Sequence, residues 1–485
     1  MKVIIGAGLT GLSAAYHLQS DDYVILEQHN DIGGTCGSYY QDGFTFDYTG
    51  HVMHFRQDHT RELVKKVLVV NYHTMARQAS IYFEGRLVPY PFQMNLALLP
   101  HKVKKECIMG AIKAAYEVKS NGHELANFAE WILQSLGEGI AKHFMFPYNE
   151  KLWTVSPYEM TTSWMRRFVP RPDLSDIVEG ALRSQRDDGI GYNAEFGYPV
   201  RGGILSCPRA FVPYVKNLFL NAEVAHVDVN AKTVQANGIT YPFSTLISTM
   251  PLVELVRRIK DVLHRVQQAA DKLRCNSVYS VLLGINRPNV SDQHWIYVPQ
   301  KELIFYRIGF PSNLSPYMCP EGTSSLCAEV AYRGDLDMSQ DELIDRVIRD
   351  LQAIGLLRET DEILVQKAVV TRYAYVIYDK HHTANVKLIH DYLQEHSIIS
   401  TGRYGCWEYS GMEDAILHGQ AAAERAQHME AFEEAFVVPR PVLPAEAVID
   451  HQEAFQEAFP PPPTDERLQE RSRPVLPGET DPTPA

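Results

Sequence analysis

The chain has 485 residues, 45% hydrophobic and 22% charged, a globular composition that excludes a fibrous or wholly disordered class. Its 46 basic side chains face 59 acids, a net charge of −13, which excludes a general nucleic-acid-binding surface and requires any anionic ligand to find a local cationic pocket. Seven scattered cysteines with no CxxC or finger-like spacing predict a reducing, cytoplasmic location.

The N-terminus, MKVIIGAG, enters structure at once without a signal peptide's design, and no window reaches the roughly 18 apolar residues of a membrane span. The expectation is a cytosolic protein with no integral membrane segment. Residues 2–5, KVII, read as a short buried strand, GAGLTGLSAAYHL opens a helix, and YVILEQ reads as a second strand, a βαβ opening. Between residues 94 and 136 the apolar spacing predicts two amphipathic helices broken at Asn121-Gly122, a helical insert. YFEGRLVPYPF reads as a hairpin turning at Gly85. From residue 192 to 304 short strand-like runs alternate with turns, which predicts an α+β middle. A late strand, HSIISTG, precedes RYGCWEYSGMEDAILHGQAAAERA, whose latter part has helix composition.

After about residue 428 acids, prolines and phenylalanines take over, and a duplication appears: EAFEEAF (430–436) recurs at 453–459 and RPVLP (440–444) at 473–477. A disordered tail is the plainer expectation. The competing one is a segment that docks a partner protein through phenylalanines four apart on a transient helix.

GAGLTG places Gly6, Gly8 and Gly11 between a strand and a helix, where missing side chains let a pyrophosphate approach backbone amides. Glu27, followed by Gln28, ends the next strand about 20 residues on, where a carboxylate can accept from ribose hydroxyls and repels a 2′-phosphate. These residues alone leave NAD and FAD open. A second glycine pair, Gly33-Gly34 before Thr35, lies just beyond the strand. His51 and His54 follow in GHVMH; a zinc site would need a third ligand that no HExxH or cysteine pair supplies, so no metal is expected. Core histidines are the alternative to a ligand-facing turn.

On these segments the sequence resembles the FAD-containing UDP-galactopyranose mutases, within the wider amine-oxidase and protoporphyrinogen-oxidase-like superfamily, over most of residues 1–425. The resemblance implies an α/β fold: a Rossmann-type FAD-binding domain in discontinuous segments, a helical insert, an α+β substrate domain and a disordered tail. The expected boundaries are 1–90, 191–275 and 396–428 for FAD binding, 91–190 for the helical insert and substrate domain, 276–395 for the α+β substrate domain, and 429–485 for the tail.

The resemblance also assigns roles. Gly6, Gly8, Gly11, Glu27, Gln28, Gly33, Gly34 and Thr35 would bind FAD; Val224 would read the adenine edge through its backbone. Gly402 and Arg403 would meet the FAD pyrophosphate, and Met412 and Glu413 would lie beside the isoalloxazine. GHVMH is similar to the family's Gly-Pro-His-x-x-His element without its proline, placing His51 or His54 at ring or substrate. PYNEKLW gives Tyr148 and Trp153 as substrate aromatics, MRRFVPRP gives Arg171 and ELIFYRIG gives Arg307 as diphosphate contacts. YAYVIYD gives Tyr375, without the family's following proline, and Trp407 and Tyr409 stand for two substrate-side tyrosines.

The implied activity interconverts pyranose and furanose forms of a nucleotide sugar through a covalent flavin N5–sugar adduct, with reduced FAD and NAD(P)H as candidate external reductant. The alternative is an FAD-dependent oxidoreductase of the amine oxidase or protoporphyrinogen oxidase type. A flavin-free binding protein is the remaining reading. The sugar and the oligomeric state are not fixed by the residues.

Overall fold

Lys2–Ile5 is a strand with every residue buried, the pattern of a strand covered on both faces. It is the middle of a five-stranded parallel sheet in the order Ile398–Ser400, Thr245–Ser248, Lys2–Ile5, Tyr23–Leu26, Leu218–Phe219. The structure, a computed structural model, describes residues 1–118, 125–165, 168–169, 172–182 and 194–435. One sheet thus gathers strands from the beginning, middle and end of the chain. The expected break at Asn121-Gly122, Arg171, and nearly all of the duplicated tail lie outside the described residues.

The helix Leu9–Leu18 crosses from the first strand to the second, and the late helix Met412–Ala435 packs on it, with the Ser13 hydroxyl donating to the Ile416 carbonyl at 2.7 Å. Gly11 explains the tight first turn: a Cβ there would sit 2.0 Å from the Gly6 carbonyl oxygen, so any side chain forces the strand and helix apart.

A seven-stranded sheet forms the second β layer, ordered Ile363–Thr371, Ser277–Ile285, Ser324–Tyr332, Arg307–Gly309, Trp295–Tyr297, Ala79–Phe83, Arg86–Pro89. All neighbours are antiparallel except Trp295–Tyr297 with Ala79–Phe83. The last two strands are the expected hairpin, with Gly85 at φ 78 in its turn. The helix Gln340–Ala353 buries Leu343, Val347 and Leu351 in one core with Val281, Ile308 and Leu326 of this sheet. Its start is fixed by a capping box, the Ser339 side chain accepting from the Glu342 amide while Glu342 accepts from the Ser339 amide.

The helical layer comprises His101–Val118, Phe128–Ile140, a π-helical turn Ala141–Met145, and Phe146–Trp153. The first of these starts just after Pro100, later than the apolar spacing alone predicts, and the residues before it form two short 3₁₀ turns. The π turn widens the backbone where Phe144 and Met145 meet a cavity. Among the described residues no helix is long and apolar enough to cross a membrane.

Gly11→Ala is expected to lower the thermal unfolding temperature, with an overpacking cost of about 2 kcal/mol. An unchanged melting curve would show that the first turn can yield.

Candidate active site

Where the three layers meet, a cavity of about 220 Å³ opens between the turn after Phe44–Asp47, the helix Phe146–Trp153 and the seven-stranded sheet. Six of the residues expected at a site share its lining: His51, Tyr148, Trp153, Arg307, Tyr375 and Tyr409. They come from five separate stretches of chain. Their rings touch, Trp153 lying 5.5 Å from Tyr375 and 5.8 Å from Tyr409, and Tyr148 lying 5.4 Å from Tyr297.

The charged centre is an ion pair. Arg307 donates from Nε to Glu329 at 2.9 Å and from Nη2 at 2.6 Å, a fork matched to the carboxylate plane. Glu329, 2% exposed, also accepts from the Gly50 amide at 2.9 Å and from the Tyr306 hydroxyl. Burial pushes its carboxyl up, but Arg307 and these donors outweigh burial and hold it below the usual range. The pair leaves Arg307 Nη1 as the donor that Glu329 does not use.

His51 lines the cavity with Nδ1 2.9 Å from the Thr49 hydroxyl. Burial, reinforced by the Arg403 and Arg307 charges, pushes its imidazole down to about 4, so it is neutral near pH 7. His54 points elsewhere, its Nδ1 3.3 Å from the Glu195 carbonyl. The two histidines therefore do not form a pair. No group of three or more His, Cys, Asp or Glu among the described residues could hold a metal ion.

Trp407, expected on the substrate side, is not among the residues lining this cavity; its ring packs in the core against Tyr373 at 6.0 Å. The backbone turn through Trp407, with φ 54, directs the indole into the core. Arg403, expected at the FAD pyrophosphate, donates to the carbonyls of Ser410 at 2.6 Å and Ala374 at 3.0 Å. Its guanidinium lies 4.8 Å over the Tyr409 ring, behind the aromatic wall. Glu413 is buried, accepting from the Arg56 and Gln57 amides at 2.8 Å each and from Arg56 Nε at 2.7 Å, while Met412 sits in the core beside it.

The residues expected to hold the dinucleotide form a cradle. The N-cap of helix Leu9–Leu18 is Gly8, with no side-chain cap and no acid in the first turn, so its amides are not met by side chains. Gly33 donates to the Ala7 carbonyl at 2.9 Å, which lays the second glycine segment beside the first. Gly33 and Gly34 have φ 104 and 57, and a Cβ on Gly34 would come within 3.5 Å of Gly8 Cα, into the channel between the segments. Glu27 Oε2 accepts from the Ala7 amide at 2.8 Å and Oε1 from His29 at 2.9 Å, which fixes the carboxylate at the strand end. Gln28 beside it is exposed, and Thr35 is half-buried. Val224 opens a bulged strand, and its carbonyl accepts from Arg258 Nε at 2.9 Å. Gly402, at φ 80, packs on Thr10 of the same helix. These residues fit an adenosine diphosphate moiety: bare amides for the pyrophosphate and a carboxylate for ribose.

Sequence reasoning missed Glu329 and Asp47. Each is the only charged residue in an otherwise uncharged strand, SSLCAEVAY and FTFD, and that isolation was a readable signal. Asp47 lines the cavity, its carboxyl pushed up to about 6 by burial while the Tyr198 hydroxyl, the Ile204 amide and Ser38 donate to it.

Residues 9–427 match the family model described as flavin containing amine oxidoreductase, and the chain belongs to that family. It is a flavin-dependent enzyme of this superfamily. A crystal structure of reduced UDP-galactopyranose mutase superposes with a TM-score of 0.83 at 29% identity, covering 88% of this chain and 95% of that one. Coproporphyrinogen III oxidase of Bacillus subtilis is 19% identical over 477 residues, 87% of this chain and 97% of its own length. The dTDP-fucopyranose mutase of Escherichia coli is 24% identical over 183 residues, 36% of this chain and 47% of its own.

Two outcomes follow from the buried charges. Arg307→Ala leaves Glu329 unpaired and is expected to cost about 3–5 kcal/mol, most of it recovered in Arg307→Met/Glu329→Met, as read by thermal unfolding. Because folding depresses the His51 pKa from 6.5 to about 4, stability falls as pH drops through that window. His51→Asn is expected to flatten that part of the melting-temperature profile; an identical slope would contradict it.

Proposed function

We propose that the enzyme is a nucleotide-sugar mutase, interconverting pyranose and furanose forms of a UDP-linked or closely related hexose with FAD in its reduced form. The observation that carries this reading is the convergence of Tyr148, Trp153, Arg307, Tyr375 and Tyr409 on one cavity. A sugar diphosphate needs flat apolar surface for its rings and convergent donors for its phosphates. Trp153 supplies the first, lining the cavity and held by a hydrogen bond from its indole to Asn149 at 3.1 Å. The phenols and Arg307 Nη1 supply the second. The 29% identity to a mutase across nearly the whole of both chains supports the same assignment.

Reduced flavin supplies the nucleophilic and electron-donating chemistry when bound. The chain's residues bind the diphosphate, align the sugar against the ring's position and exclude water. His51, neutral near pH 7, faces this space as a hydrogen-bonding group without adding charge. NAD(P)H is the candidate reductant.

The second reading, an oxidoreductase acting on an amine or porphyrinogen, is favoured by one observation: Glu329 neutralises Arg307, so the cavity is less cationic than a diphosphate site built on unpaired arginines. Purified enzyme, reduced anaerobically and incubated with UDP-galactopyranose or UDP-galactofuranose, separates the two. Chromatographic interconversion is expected. Absence of conversion, with flavin reduction by an amine or porphyrinogen, overturns the mutase reading. Tyr148→Phe is expected to raise KM about tenfold at unchanged flavin content, the loss of one hydrogen bond to a charged group.

A further inference from the structure

The cavity has two walls from different layers, and a half-buried side chain outside it joins them. Tyr148, Leu152 and Trp153 stand on the helix Phe146–Trp153. Tyr297 and Arg307 stand on paired strands of the seven-stranded sheet, Trp295–Tyr297 and Arg307–Gly309, connected by the loop 298–306. Lys151 points from the helix into that loop, where its ammonium donates to the carbonyls of Val298 at 3.0 Å, Gln300 at 2.8 Å and Phe305 at 2.6 Å. Its nitrogen thus makes three hydrogen bonds to the main chain of the opposite wall.

The arrangement suits an ammonium: burial pushes the Lys151 pKa down to about 7, and the three carbonyls favour the protonated form. Three donors on one tetrahedral nitrogen reach three carbonyls around a point; a planar guanidinium cannot, and an amide has two donors. Methionine fills similar length and leaves the three carbonyls to water. A second bridge between the same elements, Lys301 to Glu150 at 2.8 Å, is exposed and salt-screened, so it contributes little.

We propose that Lys151 is a positioning residue: it sets the spacing between the aromatic helix and the strand bearing Arg307, and thereby the fit of substrate between them. It does not line the cavity itself. The inference rests on the mutase reading only for the identity of the substrate.

The test uses the full-length, flavin-loaded enzyme with Lys151→Met and, as a control on the exposed bridge, Lys301→Ala. In Lys151→Met, amide hydrogen exchange over residues 298–306 is expected to quicken at least tenfold. KM for the UDP-sugar should rise at least tenfold with kcat within about threefold, a split that general destabilisation does not produce. Lys301→Ala should leave both readouts at wild-type values. Unchanged exchange in folded Lys151→Met overturns the proposal, as does faster exchange with an unchanged KM in an active background. Should Lys151→Met not fold, Lys151→Gln takes the same measurements under the same criteria. Wild-type enzyme that converts no UDP-sugar overturns the mutase reading instead, and the exchange measurement still decides whether Lys151 holds the loop.

Discussion

The buried pairing of Arg307 with Glu329 is the constraint on which the site depends. A guanidinium and a carboxylate removed from water are tolerated only when each is neutralised and its remaining hydrogen-bonding capacity is used. Here the carboxylate takes the Gly50 amide and the Tyr306 hydroxyl as well as the arginine fork. That single group therefore ties the sheet to the turn that carries His51. It also limits the cation: Arg307 reaches a ligand with one edge, and its charge is already paired before any ligand arrives.

The rest of the molecule brings distant segments to this point. The parallel sheet collects strands from residues 2–5, 245–248 and 398–400, which places the first glycine turn against the glycine at 402. The antiparallel sheet supplies Tyr297, Arg307 and Glu329, and the helical layer supplies Tyr148 and Trp153. Asp47, Glu329 and Glu413 share one feature, each a buried acid that accepts a backbone amide from another segment. Acids at these places act as fasteners between layers.

Much of this was legible in the chain itself. The βαβ opening, the Gly85 hairpin and the helical insert follow from apolar period and turn residues, because those signals are local. The convergence of Tyr148, Trp153, Tyr375 and Tyr409 came from motif resemblance, since nothing in their spacing brings residues more than 200 apart together. What the chain concealed was pairing. Arg307 reads as a free cation until its neighbour across the strand, Glu329, is known, and strand register is a non-local property. Trp407 lies away from this cavity for a related reason: its φ of 54 turns its ring into the core, and positive φ at a tryptophan has no sequence signature.

The most direct test of the account is calorimetric titration of UDP into the reduced, flavin-loaded enzyme and into Arg307→Met/Glu329→Met, which keeps the cavity's bulk without this ion pair. The account predicts saturable binding to the first and at least tenfold weaker binding to the second. Equal affinity for both, or no binding to the wild-type chain, would contradict a diphosphate held at Arg307.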